Sequence, residues 1–219
     1  MVSTKSLKLA LFCLTALTIG CGTKQKATDG AKPAADMGSQ TCTYGTDPKQ
    51  IKLEWTAYKF TNKTPVKGSF TSTTFSGPES AATVKDLFKG LSAEIDGKTP
   101  DSKDPVRNGN VANSFFAKLA NDGKITAKTS LVQGDDQKGT IDIAIDMNGV
   151  NKVLTFDYTV ADGVVTAKSH LDFPAFRLEE ALDSLHKTCE AMHTGPDGES
   201  KTWGEADLTL TGPLKKDCK

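Results

Sequence analysis

From Ile51 onward, apolar and polar residues alternate with a period of two, the mark of strands with one buried face. Ile51-Lys-Leu53-Glu-Trp55-Thr-Ala57 alternates, and Val66, Gly68 and Phe70 share one face of the next stretch. Ile125, Ala127, Thr129 and Leu131 form one face of another, and every odd position from Ile141 to Met147 is apolar. Leu154, Phe156, Tyr158 and Val160 repeat the pattern, as do Val165, Ala167, Ser169, Leu171 and Phe173, and finally Leu208, Leu210 and Leu214. Asn148-Gly149 and Asp162-Gly163 separate three of these runs, and both pairs suit two-residue hairpins. The pattern predicts strands over 51–61, 65–76, 91–96, 123–133, 138–147, 151–160, 163–173 and 202–214. Three helical pieces interrupt them, over Glu79–Lys89, Pro105–Leu119 and Arg177–Met192. In the last, Leu178, Leu182, Leu185, Cys189 and Met192 form one stripe, while Glu179, Glu180, Asp183, Lys187 and Glu190 face water.

One-sided alternation with no parallel βαβ rhythm predicts a mainly β fold, a barrel or a sandwich, with one amphipathic helix before the last strand. Strands of about ten residues at ~3.3 Å per residue reach roughly 30 Å. Eight such strands can close around one small ligand. The inward files are apolar, so a ligand would be elongated and apolar. The alternative is an interior filled by these same side chains as an ordinary core.

The first twenty residues read differently. Lys5 and Lys8 precede a mostly apolar stretch from Leu9 to Ile19, which is the layout of a secretory signal and too short to span a membrane. It ends in Leu17-Thr-Ile-Gly20-Cys21, which resembles the lipobox of bacterial lipoproteins, in which the cysteine is acylated; Thr18 stands where that pattern commonly has Leu. An ordinary signal with an incidental cysteine is the alternative. Residues 22–41 contain one Met and no other large apolar side chain, so the sequence predicts a disordered tether over 21–41 and a domain over 42–219. Two or three acyl chains would hold such a protein on a membrane. Gly22 is not the Asp of an inner-membrane retention signal, so the expected place is the outer membrane, facing the periplasm.

Charge and composition exclude some classes. The chain of 219 residues carries 27 basic and 27 acidic side chains. Without residues 1–20 the net charge is −2, so nothing suggests a nucleic-acid partner. With 27 Thr and 14 Ser, the composition favours strands and turns. Of five cysteines, Cys42, Cys189 and Cys218 remain for an oxidising compartment. Cys42 and Cys218 flank the first and last strands and meet if those strands are antiparallel neighbours. Cys189–Cys218 is the rival pair.

Val66-Lys-Gly-Ser-Phe70, Arg107-Asn-Gly-Asn-Val-Ala-Asn-Ser-Phe115-Phe116 and Met147-Asn-Gly-Val-Asn-Lys152 resemble, in this order, three motifs of the YceI-like, polyisoprenoid-binding family. The likeness covers roughly residues 50–214. It implies a lipocalin-like eight-stranded antiparallel barrel that carries an isoprenoid chain, a quinone tail or a fatty amide, without catalysis or cofactor. The expected lining is Leu53, Trp55, Phe70, Phe115, Phe116, Ile143, Ile145, Leu154, Phe156, Leu171, Phe173, Leu182 and Leu185. Arg107 is a candidate for a polar ligand head, or else a structural pin for the Phe115–Phe116 segment. The long helix before the last strand and the three mature cysteines depart from the family pattern, and the helix either lids or plugs the barrel.

No nucleophile elbow, zinc-protease, P-loop or dinucleotide motif occurs. His186, Cys189 and His193, at i, i+3 and i+7, are of types that suit zinc or copper. Both histidines are expected at the edge of the apolar stripe with Cys189 inside it, which weighs against a metal site.

Overall fold

A computed structural model describes residues 41–219. The signal over 1–20, Cys21 and all of the tether but Thr41 lie outside the described residues. Thirteen strands follow in chain order: β1 (Cys42–Gly45), β2 (Lys52–Lys59), β3 (Thr64–Phe70), β4 (Thr73–Ser76), β5 (Ser80–Ala81), β6 (Ser92–Asp96), β7 (Pro100–Asp101), β8 (Lys124–Gly134), β9 (Lys138–Met147), β10 (Val150–Ala161), β11 (Val164–Asp172), β12 (Thr202–Pro213) and β13 (Lys215–Cys218). The helices are α1 (Val84–Lys89), α2 (Pro105–Asn110) and α3 (Glu179–His193).

The main sheet runs β4-β6-β8-β9-β10-β11-β12-β2-β3-β7, antiparallel throughout. Apart from the two-residue β7 beside β3, its two ends are two halves of one strand. β3 and β4 are separated only by Thr71 and Ser72; the first half pairs with β2 and the second with β6. Around the bend, the Thr71 amide donates to the Thr99 carbonyl and the Asp96 amide to the Ser72 carbonyl, so the ladder is continuous. The sheet therefore closes on itself as an eight-stranded, lipocalin-like barrel, and the single strand expected over 65–76 is this bent one. Asn148, Gly149, Asp162 and Gly163 all have positive φ, as the two hairpin turns require.

Several expectations need correction. Leu131 does not share a face with Ile125, Ala127 and Thr129. A bulge between Thr129 and Leu131 shifts the phase, as an extra residue in one strand does. Val132 is therefore wholly buried and Leu131 is 41% exposed. The helix expected over 79–89 forms only from Val84, where Thr83 caps it by accepting from the Asp86 amide at 3.0 Å, satisfying one of the donors a helix start leaves free. The piece over 105–119 is α2, then a π turn (Val111–Phe115), then a 3-10 turn (Phe116–Lys118). Met192 is 46% exposed, and the inner face of α3 runs through Ala181, Leu182, Leu185, Cys189 and His193, with Leu178 just before the helix.

Cys42 and Cys218 form a disulfide. Neither flanks a barrel strand directly. They face each other across a separate ribbon, β13-β1-β5, that joins the two ends of the domain. Cys189 is a buried free thiol whose pKa burial pushes up.

Trp55 and Gly68 are directly opposed on β2 and β3. The indole lies over the glycine, where a Cβ would collide with the ring. Its N–H donates to the Ser69 carbonyl at 3.2 Å. Gly68→Ala should displace this ring and cost about 1–3 kcal/mol. A lower urea midpoint with unchanged slope would show it.

Candidate functional site

The strands' inward files do not fill the barrel. A cavity of about 240 Å³ remains, walled almost entirely by carbon. On β9 its wall runs from Ile141 to Met147. Such a run of six residue steps at ~3.3 Å each reaches roughly 20 Å. The packed-interior alternative is therefore not what the chain builds.

Two features make the space. One is size: inward positions hold alanine in cross-strand pairs. Ala57 faces Ala206 across β2 and β12, and Ala93 faces Ala127 across β6 and β8. All four line the cavity. The other is a chain of rings at one end. Trp55, Phe70, Phe116, Phe115 and Phe173 follow one another, with successive centroids 6.4, 5.4, 5.1 and 5.4 Å apart. Each pair is tilted or edge-on, the arrangement that ring quadrupoles favour.

Of the expected lining residues, Leu53, Trp55, Phe70, Phe115, Phe116, Ile143, Ile145, Phe156, Leu171, Phe173, Leu182 and Leu185 border the cavity. Leu154 does not; it packs against the core instead. The sequence-based lining leaves out the alanines. Their signal is a small residue at the inward phase of the alternation.

Both ends are covered. The end nearest Cys42 is packed with Phe88, Leu87, Val132 and Tyr158, with Phe88 edge-on to Tyr158 at 5.3 Å. At the other end, α3 lies against β12 and the π turn. Leu182 and Leu185 form part of the cavity wall without filling the space, so α3 covers this end and does not plug the barrel.

Arg107 does not border the cavity. Its Nε donates to Ser102 Oγ at 2.8 Å and an Nη lies 3.5 Å from Asp104. It fastens the turn before α2. The candidate metal trio is also separated. His186 and His193 turn inward, and the Nδ1 of each meets the Thr202 hydroxyl, at 3.1 and 2.6 Å. Cys189 accepts instead from the Asn110 amide at 3.6 Å. Among the described residues, no three His, Cys, Asp or Glu side chains converge to hold a metal.

Burial is the first cause, ahead of the charges of Lys59, His186 and Arg107, that pushes His193 down to about 4. The unfolded histidine titrates near 6.5, so between about pH 6.5 and 4 the unfolded chain binds more protons. Folding stability should thus fall on acidification across that window, by about 1–2 kcal/mol after allowing for partial solvation. Melting curves at pH 7 and pH 4.5 should show the loss, and His193→Gln should reduce it. Asp207 is held low by hydrogen bonds from His170 and Tyr58, so it contributes its own loss only at lower pH.

Residues 44–193 match the family model described as the YceI-like domain. The chain belongs to the YceI-like family. A polyisoprenoid binding domain from Saccharophagus degradans, implicated in plant cell wall breakdown, shares this YceI-like fold. It is 14% identical with a TM-score of 0.55, over 80% of this chain and 98% of that one. BcnA from Burkholderia cenocepacia is 14% identical, with a TM-score of 0.51 over 78% and 99%. A search of curated proteins finds no match to this sequence.

Proposed function

We propose that this YceI-like protein is a lipid-anchored carrier of the bacterial cell envelope that holds a long apolar chain inside its barrel. The observation that carries this reading is the wall-to-wall apolar cavity running along the strands. A flexible polyprenyl chain, a quinone tail or a fatty amide suits such a space. Each buried methylene contributes about 0.8 kcal/mol, with no polar partner needed along the way. The Saccharophagus degradans domain of the same fold, described as polyisoprenoid binding, supports the choice. Cys21 is the proposed site of acylation, and the outer membrane, facing the periplasm, the proposed location. Both rest on the n-region, the apolar run and the polar segment after Cys21. The reading includes no catalytic step.

Protein purified from its host's envelope should release one class of long-chain lipid on organic extraction, identified by mass spectrometry. Recovery of protein without lipid, together with failure to bind a prenyl alcohol, would sink the carrier reading. Release of Cys21 as an acylated N-terminal residue tests the anchor separately.

A further inference from the structure

Thr129 interrupts the carbon wall of the cavity. On β8 it follows Ala127 in the inward file, and it stands across from Ile143 on β9; all three border the cavity. Thr129 is 8% exposed. Its amide donates to the Leu91 carbonyl at 3.0 Å. Its hydroxyl has no hydrogen-bond partner among the described residues, although that of the next residue, Ser130, donates to the Asp142 carbonyl at 3.0 Å. Every described side-chain nitrogen or oxygen that is fully sealed has a partner, so the Thr129 hydroxyl opens on the cavity. The other hydroxyls on the border are placed differently. Thr46 donates to the Pro213 carbonyl at 2.7 Å, Tyr58 donates to Asp207, and Thr202 meets the two histidines. Ser92 and Thr211 alternate with the inward residues of β6 and β12 and so belong to the outer phase.

The position is deep. Val132, of the packed end, stands across from Ile141, and Ile143 is only two residue steps further along β9, roughly 7 Å. Thr129 therefore lies toward Phe88 and away from α3. Water does not satisfy it. A water molecule held in such a space needs about two to four polar partners, and a chamber walled by Leu, Ile and Phe stays dry. A buried hydroxyl left unpaired is costly, whereas valine would fill the same volume without that cost.

We propose that Thr129 is a specificity-determining residue for the cargo, its hydroxyl bonding a neutral oxygen group, a hydroxyl or carbonyl, that the apolar chain carries deep into the barrel. The inference rests on the carrier reading and adds that a bare hydrocarbon is a poor match, since it leaves Thr129 unpaired. An anionic group finds no counter-ion at this depth: Lys128 stands on the outer phase, across from Ser92, and is exposed.

The test uses the delipidated full chain and two ligands with one tail, geranylgeraniol and the hydrocarbon in which hydrogen replaces its hydroxyl. The hydrocarbon shuns water more, so the quantity compared between proteins is the ratio of the two affinities, in which that difference cancels. Thr129→Val should lower the alcohol-to-hydrocarbon ratio about three- to tenfold, the effect of one neutral hydrogen bond. Thr129→Ser should keep the natural ratio. Without lipid, Thr129→Val should melt about 2–4 °C above the natural protein, because an unpaired hydroxyl has been removed. An unchanged ratio in Thr129→Val overturns the Thr129 contact and leaves the carrier reading standing. A lower melting temperature for lipid-free Thr129→Val also overturns it, since the hydroxyl then has a partner within the protein. Failure of the natural protein to bind either ligand overturns both readings.

Discussion

Ala127→Trp should give a folded barrel that carries no lipid. Ala127 faces the cavity between Ala93 and Ile145 on its two neighbouring strands. An indole placed there enters space that cargo would otherwise occupy. If it displaces contacts to five methylenes, the loss is about 4 kcal/mol, roughly a thousandfold in affinity. Lipid content by mass spectrometry and binding of a prenyl alcohol both read it. Thermal stability of the lipid-free protein separates the two views of the interior. Forcing a ring into a packed core costs about 1–3 kcal/mol. Filling a real cavity costs less, and can stabilise. A variant that is destabilised yet keeps its lipid would mean that the cargo sits elsewhere.

Replacing both Cys42 and Cys218 by serine should lower the melting temperature by about 5–15 °C. The bridge closes a loop with a sequence separation of 176 residues. Bridges typically contribute about 2–4 kcal/mol, and each kcal/mol moves the midpoint of a chain this size by about 2–4 °C. Neither cysteine borders the cavity, so affinity for lipid should change little. Reductant added to the natural protein should reproduce the shift. A double variant that melts with the natural protein would show that the ribbon frays without consequence for the barrel.

The eight barrel strands were legible because each buries one face, and period-2 alternation records that directly. The strands β1, β5, β7 and β13 were not, since two or four residues cannot display a period. The switch from Leu131 to Val132 was hidden for another reason: one extra residue in a ladder leaves both phases apolar, and only the partner strand decides. The ring chain was visible in Phe115, Phe116 and Phe173, whereas the cavity itself depended on the alanines, which sequence patterns score as weakly apolar. The histidines drew attention for their spacing along one helix, and the structure gives both to a single hydroxyl from another element.

The order of strands also has a temporal meaning. β12, the last barrel strand, sits between β11 and β2, an early one. Until residues 202–213 exist and are free to pair, the wall lacks a whole stave. Its closing contacts join the two ends of the domain, as in the pairing of Ala206 with Ala57. Long-range pairing of this kind makes β proteins slow to fold. A chain emerging N-terminus first therefore has no closed container until residues 202–213 have been made. Cargo can be enclosed only afterwards, in whichever compartment folding finishes.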